Sequence, residues 1–228
     1  LLTETPPPAP VHDDYGVSDG RWLKINWAER LRKVTIRSEL GETEVSYTDQ
    51  GEGPPVLLVH GLGGSWRNWL ENIPFLADRH RVVALDLPGF GLSSMPEESI
   101  SMSAYGDFLL RFADAVDLST ETFLVGHSMG GFISTEAVTT NPDRFSRLSL
   151  ISAAGISFAK VTGTRKSVTA VIVKAMIPIA ASRAERNLVR KRLRTASFAG
   201  VIAHPSLIGP EILWELGTYA ALHSPALF

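Results

Sequence analysis

Gly126-His127-Ser128-Met129-Gly130 follows directly on the apolar run Thr122-Phe123-Leu124-Val125. Behind it comes Gly131-Phe132-Ile133-Ser134-Thr135-Glu136-Ala137-Val138, with the spacing of a helix. A Gly-x-Ser-x-Gly pentad with a buried strand before it and a helix after it constrains the chain strongly. The serine must sit on a sharp strand-to-helix turn, in a strained backbone conformation, with its hydroxyl beside the helix N-terminus. A Cβ at Gly126 or Gly130 would crowd the turn or the neighbouring strand. The pattern alone marks only a turn that carries a serine. Its context makes Ser128 a candidate nucleophile.

Two further segments have the same strand-to-loop form. Val56-Leu57-Leu58-Val59 reads as a central parallel strand and leads into His60-Gly61-Leu62-Gly63-Gly64-Ser65. Glycines just past a strand let backbone N–H groups turn inward, as a developing oxyanion requires. Arg81-Val82-Val83-Ala84-Leu85-Asp86 is the next strand, followed by Leu87-Pro88-Gly89-Phe90-Gly91-Leu92-Ser93. Helices are expected at Trp69 to Leu76 and at Met102 to Val116, and another from Met129 that Asn141-Pro142 ends. Val34-Thr35-Ile36-Arg37 and Thr43-Glu44-Val45-Ser46-Tyr47 alternate around Gly41 and predict an antiparallel hairpin. Alternating strands and helices imply a mostly parallel, doubly wound α/β sheet with right-handed crossovers.

In this order and spacing, the three segments resemble the α/β-hydrolase family from about Val34 to Gly155. The resemblance implies Ser128 as nucleophile on an elbow formed with Gly126, His127 and Gly130. It implies oxyanion donors at the amides of Leu62 and Met129, and places His60 and Gly61 at the substrate pocket. It also implies a helical cap over an α/β-hydrolase core. The expected division is an N-terminal arm over 1–33, the first part of the core over 34–155, and an incomplete cap or lid over 156–228. Within the cap candidate, Val171, Ile172 and Met176 are expected to face the pocket and to favour an apolar acyl group. The basic run Arg183, Arg186, Arg190, Lys191, Arg192 and Arg194 reads as a solvated helix face.

Family members place their acid and their histidine after the serine, on loops that follow late strands. No strand followed by Gly-x-x-Asp is visible after Gly155, and Ser152-Ala153-Ala154-Gly155-Ile156 offers no carboxylate. His204 and His223 lie in cap-like sequence and read as surface or packing residues. Leu148-Ser149-Leu150-Ile151 would be an apolar strand at a sheet edge, where unpaired backbone groups invite association. The expectation is that a C-terminal segment or a second chain supplies further strands, the acid and the histidine. The 228-residue chain alone is expected to be inactive.

Composition excludes several alternatives. Net charge is −2, which implies no bulk attraction to nucleic acid. There are no cysteines, so neither disulfides nor thiol catalysis arise. The six histidines form no His-x-x-x-His pair, and no P-loop or dinucleotide fingerprint is present, so no metal or organic cofactor is expected. The apolar stretch Val168 to Ala181 is too short to span a bilayer, which leaves surface association through the cap as the only expected membrane contact. Residues 1–20 read as a proline-rich arm with no signal-peptide pattern, which favours the cytoplasm over secretion and leaves the compartment unassigned. Trp22 to Leu31 has the pattern of a short amphipathic helix.

The expected chemistry is hydrolysis of small to medium carboxylic esters through an acyl-enzyme on Ser128. Alternatives within the same motifs are a C–C bond hydrolase, a perhydrolase and an acyltransferase. From another class, a non-catalytic binding member would keep the motifs without the triad.

Overall fold

The computed structural model describes residues 20–153, and all structural statements concern these residues. Six strands form one sheet: β1 (Leu31–Ser38), β2 (Gly41–Gln50), β3 (Pro55–Val59), β4 (Arg81–Leu85), β5 (Phe123–His127) and β6 (Arg147–Ile151). Their order is β1-β2-β4-β3-β5-β6. β1 and β2 form the expected antiparallel hairpin, with Ser38 paired to Gly41, and β2 pairs antiparallel with β4. The other four strands are parallel. The sheet is therefore mixed, with its parallel part at the three apolar strands recognised in the sequence and at β6.

The central strands are apolar throughout because both of their faces are covered. Successive side chains alternate between faces. Leu57, Val59, Val83, Leu85 and Leu124 join one core cluster with Tyr105, Phe108, Leu109 and Phe112 of α3 (Met102–Ala115) and Ile133 and Ala137 of α4 (Met129–Thr140). Val56, Leu58, Val82 and Ala84 face the other way, onto Trp22, Trp66, Trp69, Leu70 and Ile73. The chain leaves β3, crosses the second face to β4, and returns across the first face through α3 to β5. β3 thus lies between β4 and β5, and the loops that follow β3 and β5 part in opposite directions. This is a topological switch point, where open α/β sheets form a crevice beyond the strand ends.

Local sequence explains the helix boundaries. The Ser101 hydroxyl accepts the Ala104 amide at 3.0 Å and starts α3. α4 stops at Thr140 because Asn141 precedes Pro142, which drives it out of the helical region. Two expectations are refined. The helix expected over Trp69 to Leu76 is a 3₁₀ turn, Trp66–Trp69, followed by the short α2 (Asn72–Leu76). Ser65 and Asn68 cap the 3₁₀ turn reciprocally and start it three residues early. The amphipathic helix expected over Trp22 to Leu31 is two single turns, Arg21–Lys24 and α1 (Trp27–Arg30), because Ile25 is extended and Leu31 already begins β1.

β6 has only β5 as neighbour among the described residues, and Leu150 and Ile151 are 39% and 43% exposed. The cap candidate, including Val171, Ile172 and Met176, the basic run, His204 and His223 all lie outside the described residues, as does most of the N-terminal arm.

α4 packs against β3 and β5 only because residue 130 lacks a side chain. A Cβ on Gly130 would stand 2.4 Å from the His60 carbonyl oxygen and 2.5 Å from that of Val59. Both are main-chain atoms of the central strand end and cannot rotate away. Gly130→Ala should therefore push α4 off the sheet and cost about 1–3 kcal/mol, the ordinary cost of overpacking, or more. Urea unfolding checks this. A variant within about 0.5 kcal/mol of wild type, the range of neutral surface changes, would show that α4 shifts freely.

Candidate active site

β5 runs without a spacer into α4, and Ser128 is the joint. Its φ of 52° and ψ of −117° lie where L-residues are rarely found. Such a conformation costs on the order of 1–3 kcal/mol and persists only where the surroundings over-determine it. Here they do. The Ser128 amide donates to the Ile151 carbonyl at 2.9 Å, tying the turn to the end of β6. The Ser128 carbonyl accepts the Gly131 amide at 3.0 Å, the first turn of α4. A Cβ on Gly126 would lie 2.5 Å from the Gly130 carbonyl oxygen, so the strand end and helix start touch backbone to backbone. The side chain of Ser128 is left at the helix N-terminus, where unpaired amides and the helix dipole favour negative charge.

The loop after β3 packs against this turn. A Cβ on Gly61 would approach the Ser128 Cβ to 2.9 Å and His127 Nδ1 to 3.1 Å. Leu62 follows, with its side chain 64% exposed. Met129 is the first residue of α4, so its amide has no carbonyl within the helix to bond. No described main-chain carbonyl takes the amide hydrogen of Leu62 or of Met129. The structure thus gathers His60, Gly61, Leu62, Gly126, His127, Ser128, Met129 and Gly130 at the adjacent ends of β3 and β5.

Two buried polar side chains hold the loops. His60 is fully buried. Its Nδ1 is 2.7 Å from the Gly61 carbonyl oxygen, and its Nε2 accepts the Leu87 amide at 2.9 Å. The Phe90 ring stands edge-on against it, with centroids 5.6 Å apart. Burial lowers its pKa to about 4, against the Gly61 hydrogen bond that favours the charged ring; nearby His127 lowers it slightly further. His60 supports the loop from beneath. Asp86, also fully buried, accepts the Trp66 amide through Oδ1 at 2.7 Å and the Leu92 amide through Oδ2 at 2.9 Å. Burial raises its pKa to about 6, opposed by those two amide bonds and by the Arg67 charge. Asp86 therefore joins the 3₁₀ turn after β3 to the loop after β4. Sequence reasoning did not select it. The available signal was a carboxylate closing an otherwise apolar strand, a position where a charge requires built-in partners.

None of the three described histidines is hydrogen-bonded to the Ser128 hydroxyl. His60 has both ring nitrogens on main-chain groups, and His80 bonds the Pro54 carbonyl at the opposite end of the sheet. Burial lowers the pKa of His127, whose ring sits beside Gly61. Among the described residues there is no cluster of three metal-ligating side chains, and no helix long and apolar enough to cross a membrane.

Comparison with known proteins agrees with this architecture. The family model of the alpha/beta hydrolase fold matches residues 54–175. A dihydrolipoyllysine-residue acetyltransferase component of the acetoin cleaving system from Pseudomonas putida is 42% identical over 107 residues, 47% of this chain and 29% of that protein. A 2-hydroxymuconate semialdehyde hydrolase from Pseudomonas sp. (strain CF600) is 35% identical over 119 residues, 50% of this chain and 42% of that protein. The chain thus spans less than half the length of these curated relatives. Among solved structures, a thermophilic esterase from Thermogutta terrifontis superposes with a TM-score of 0.56 at 24% identity, covering 86% of this chain and 74% of that one. At that identity the likeness shows the fold alone.

The strain at Ser128 predicts an inverted ranking of two substitutions. Glycine normally costs about 0.5–1 kcal/mol relative to alanine in regular structure. At position 128 it should relieve the positive φ, so Ser128→Gly should be at least as stable as Ser128→Ala. Thermal or urea midpoints decide this; a glycine variant clearly below the alanine variant would mean that the turn is unstrained.

His60 and Asp86 also predict opposing pH effects. Between pH 6.5 and about 4 the unfolded chain protonates residue 60 while the folded chain refuses the proton, so this group's stability contribution falls as pH falls. Between pH 3.8 and about 6 the folded chain holds a proton on Asp86 that the unfolded chain has released, so that contribution falls as pH rises. Each is worth on the order of 3 kcal/mol when complete, and over the shared window they offset one another. Asp86→Asn removes one side. The stability of this variant relative to wild type should rise by about that amount as pH goes from 3.8 to beyond 6. A pH-independent difference between the two proteins would refute the assignment.

Proposed function

This chain belongs to the α/β-hydrolase fold family, and we propose that within it the protein is a serine hydrolase that cleaves carboxylic esters through an acyl-enzyme on Ser128. The observation that carries the proposal is the strained Ser128, anchored through its own amide and carbonyl, with Gly61 packed against it and the Leu62 and Met129 amides taken by no described carbonyl. A residue held at that cost, at a helix N-terminus in the switch-point crevice, is arranged for chemistry rather than for packing.

In this reading the Ser128 hydroxyl attacks the acyl carbon. The carbonyl oxygen becomes an oxyanion and is received by the amides of Leu62 and Met129 at the head of α4. Removing one such donor costs roughly 10²–10³ in rate where it has been tested. The serine proton passes to a histidine oriented by a carboxylate and then to the leaving alcohol. Both groups are assigned to polypeptide outside the described residues, since His60 and His80 are engaged elsewhere. Water then attacks the acyl-enzyme and releases the acid. This reading requires no metal or organic cofactor. The apolar stretch around Val171, Ile172 and Met176 is assigned to the acyl side of the pocket.

A second reading has its own support. 2-Hydroxymuconate semialdehyde hydrolase acts by name on a semialdehyde, and a 2-hydroxy-6-oxo-2,4-heptadienoate hydrolase from Pseudomonas putida that is 36% identical over 127 residues acts by name on a keto-dienoate. For such a substrate the same oxyanion donors would serve a ketone, and a C–C bond would break in place of the ester C–O bond.

In the complete protein, Ser128→Ala should retain the fold and lose at least about 10³-fold in kcat on p-nitrophenyl esters, a fluorophosphonate probe should label wild type at Ser128, and the variant should stay unlabelled. Wild-type turnover by folded Ser128→Ala would exclude Ser128 as nucleophile. A labelled wild type that cleaves vinylogous keto-dienoates far faster than any ester would replace the ester reading by the C–C reading.

A further inference from the structure

The Gly61 carbonyl receives two hydrogen bonds, from His60 Nδ1 at 2.7 Å and from the Gly64 amide at 3.0 Å. That carbonyl and the Leu62 N–H belong to one peptide unit. The described residues contain no cis peptide bond, so the two groups point in opposite directions across one plane. Holding the carbonyl on a buried ring therefore turns the Leu62 N–H away from the core. Gly61 itself lies against Ser128, where a Cβ would come within 2.9 Å of the serine Cβ. We propose that His60 is a positioning residue whose Nδ1–H locks the Gly61–Leu62 peptide so that the Leu62 amide is aimed at the oxyanion formed on attack by Ser128. This rests on the reading of Ser128 as nucleophile.

One tautomer alone can do this. The Leu87 amide donates to Nε2 at 2.9 Å, so Nε2 must carry the lone pair and Nδ1 the proton. The opposite tautomer would set two hydrogens against each other at Leu87 and two lone pairs against each other at Gly61. The ring is fully buried and has no solvent to turn to. The loop after β4 thus fixes the tautomer, and the tautomer fixes the peptide after β3.

Two substitutions separate the halves of this relay. Asparagine sets an amide N–H₂ near the position of Nδ1, keeping the donor to Gly61 and losing the acceptor for Leu87. Glutamine sets a carbonyl near Nε2, keeping the acceptor and losing the donor. His60→Asn should keep kcat on a p-nitrophenyl ester within about threefold of wild type, whereas His60→Gln should lose about 10–10²-fold in kcat with little change in KM, part of what a lost oxyanion donor costs. A merely structural role would lower both variants together, in step with their urea midpoints. Equal losses, or a folded His60→Gln at wild-type kcat, overturn the proposal. ¹⁵N NMR of histidine-labelled wild type gives a readout independent of turnover and of the variants' folding. It should show His60 neutral with the proton on Nδ1. An active wild type with the proton on Nε2 refutes His60 alone. A complete protein, with its histidine and acid present, that is inert to esters and to fluorophosphonate yet carries Nδ1–H refutes the Ser128 reading and with it any role for this peptide in catalysis.

Discussion

Backbone meets backbone where β3, β5 and α4 converge, and the rest of the site is a consequence of that contact. Most elements in a domain are kept apart by side chains about 10 Å deep between layers. At Gly126 and Gly130 the spacing collapses, because a Cβ at either position would fall 2.4–2.5 Å from main-chain oxygens. The collapse allows α4 to begin one residue after β5 ends, and the short connection forces Ser128 into its positive φ. The strain is thus imposed by packing of the helix against the sheet. Because Ile151 and Gly131 hold the Ser128 backbone from both sides, relaxing it would require β6 or α4 to move. Packing energy distributed over Ile133, Ala137, Leu124 and the α3 aromatics resists that movement.

Within this frame the two fully buried ionisable groups have complementary work. Asp86 is an acceptor twice over and gathers the Trp66 and Leu92 amides. His60 is one donor and one acceptor and gathers the Gly61 carbonyl and the Leu87 amide. Between them they bond both sides of the crevice mouth, using main-chain groups that loops would otherwise leave unsatisfied. Water could satisfy the same groups only by entering the site. Built-in partners satisfy these loop groups without water.

What the sequence discloses follows the same physics. The strands β3, β4 and β5 are legible because apolar runs of three or four residues are followed within three positions by glycine or proline, and their positions are close to those expected. The elbow is legible because only a close backbone approach requires glycine at 126 and 130 together. The capped 3₁₀ turn at Trp66 is harder to read, since Ser65 and Asn68 satisfy each other locally and leave no apolar period. Asp86 is hidden because its partners are amides, which have no letter in a sequence. His60 is visible as part of a motif, but its buried place beneath the loop depends on Leu87, twenty-seven positions away. The antiparallel pairing of β2 with β4 likewise joins segments with no shared local signal.

The curated relatives named above are by name an acetyltransferase component and hydrolases. These reactions differ in the bond broken and in what accepts the acyl group. They share a carbonyl that gains an electron pair on oxygen when attacked. In the proposed reading this step would start from the serine at the head of α4, with the loop after β3 packed against it. The sheet, the strand-to-helix turn and the His60 and Asp86 struts fix the strand ends at which the proposed attack on a carbonyl would take place.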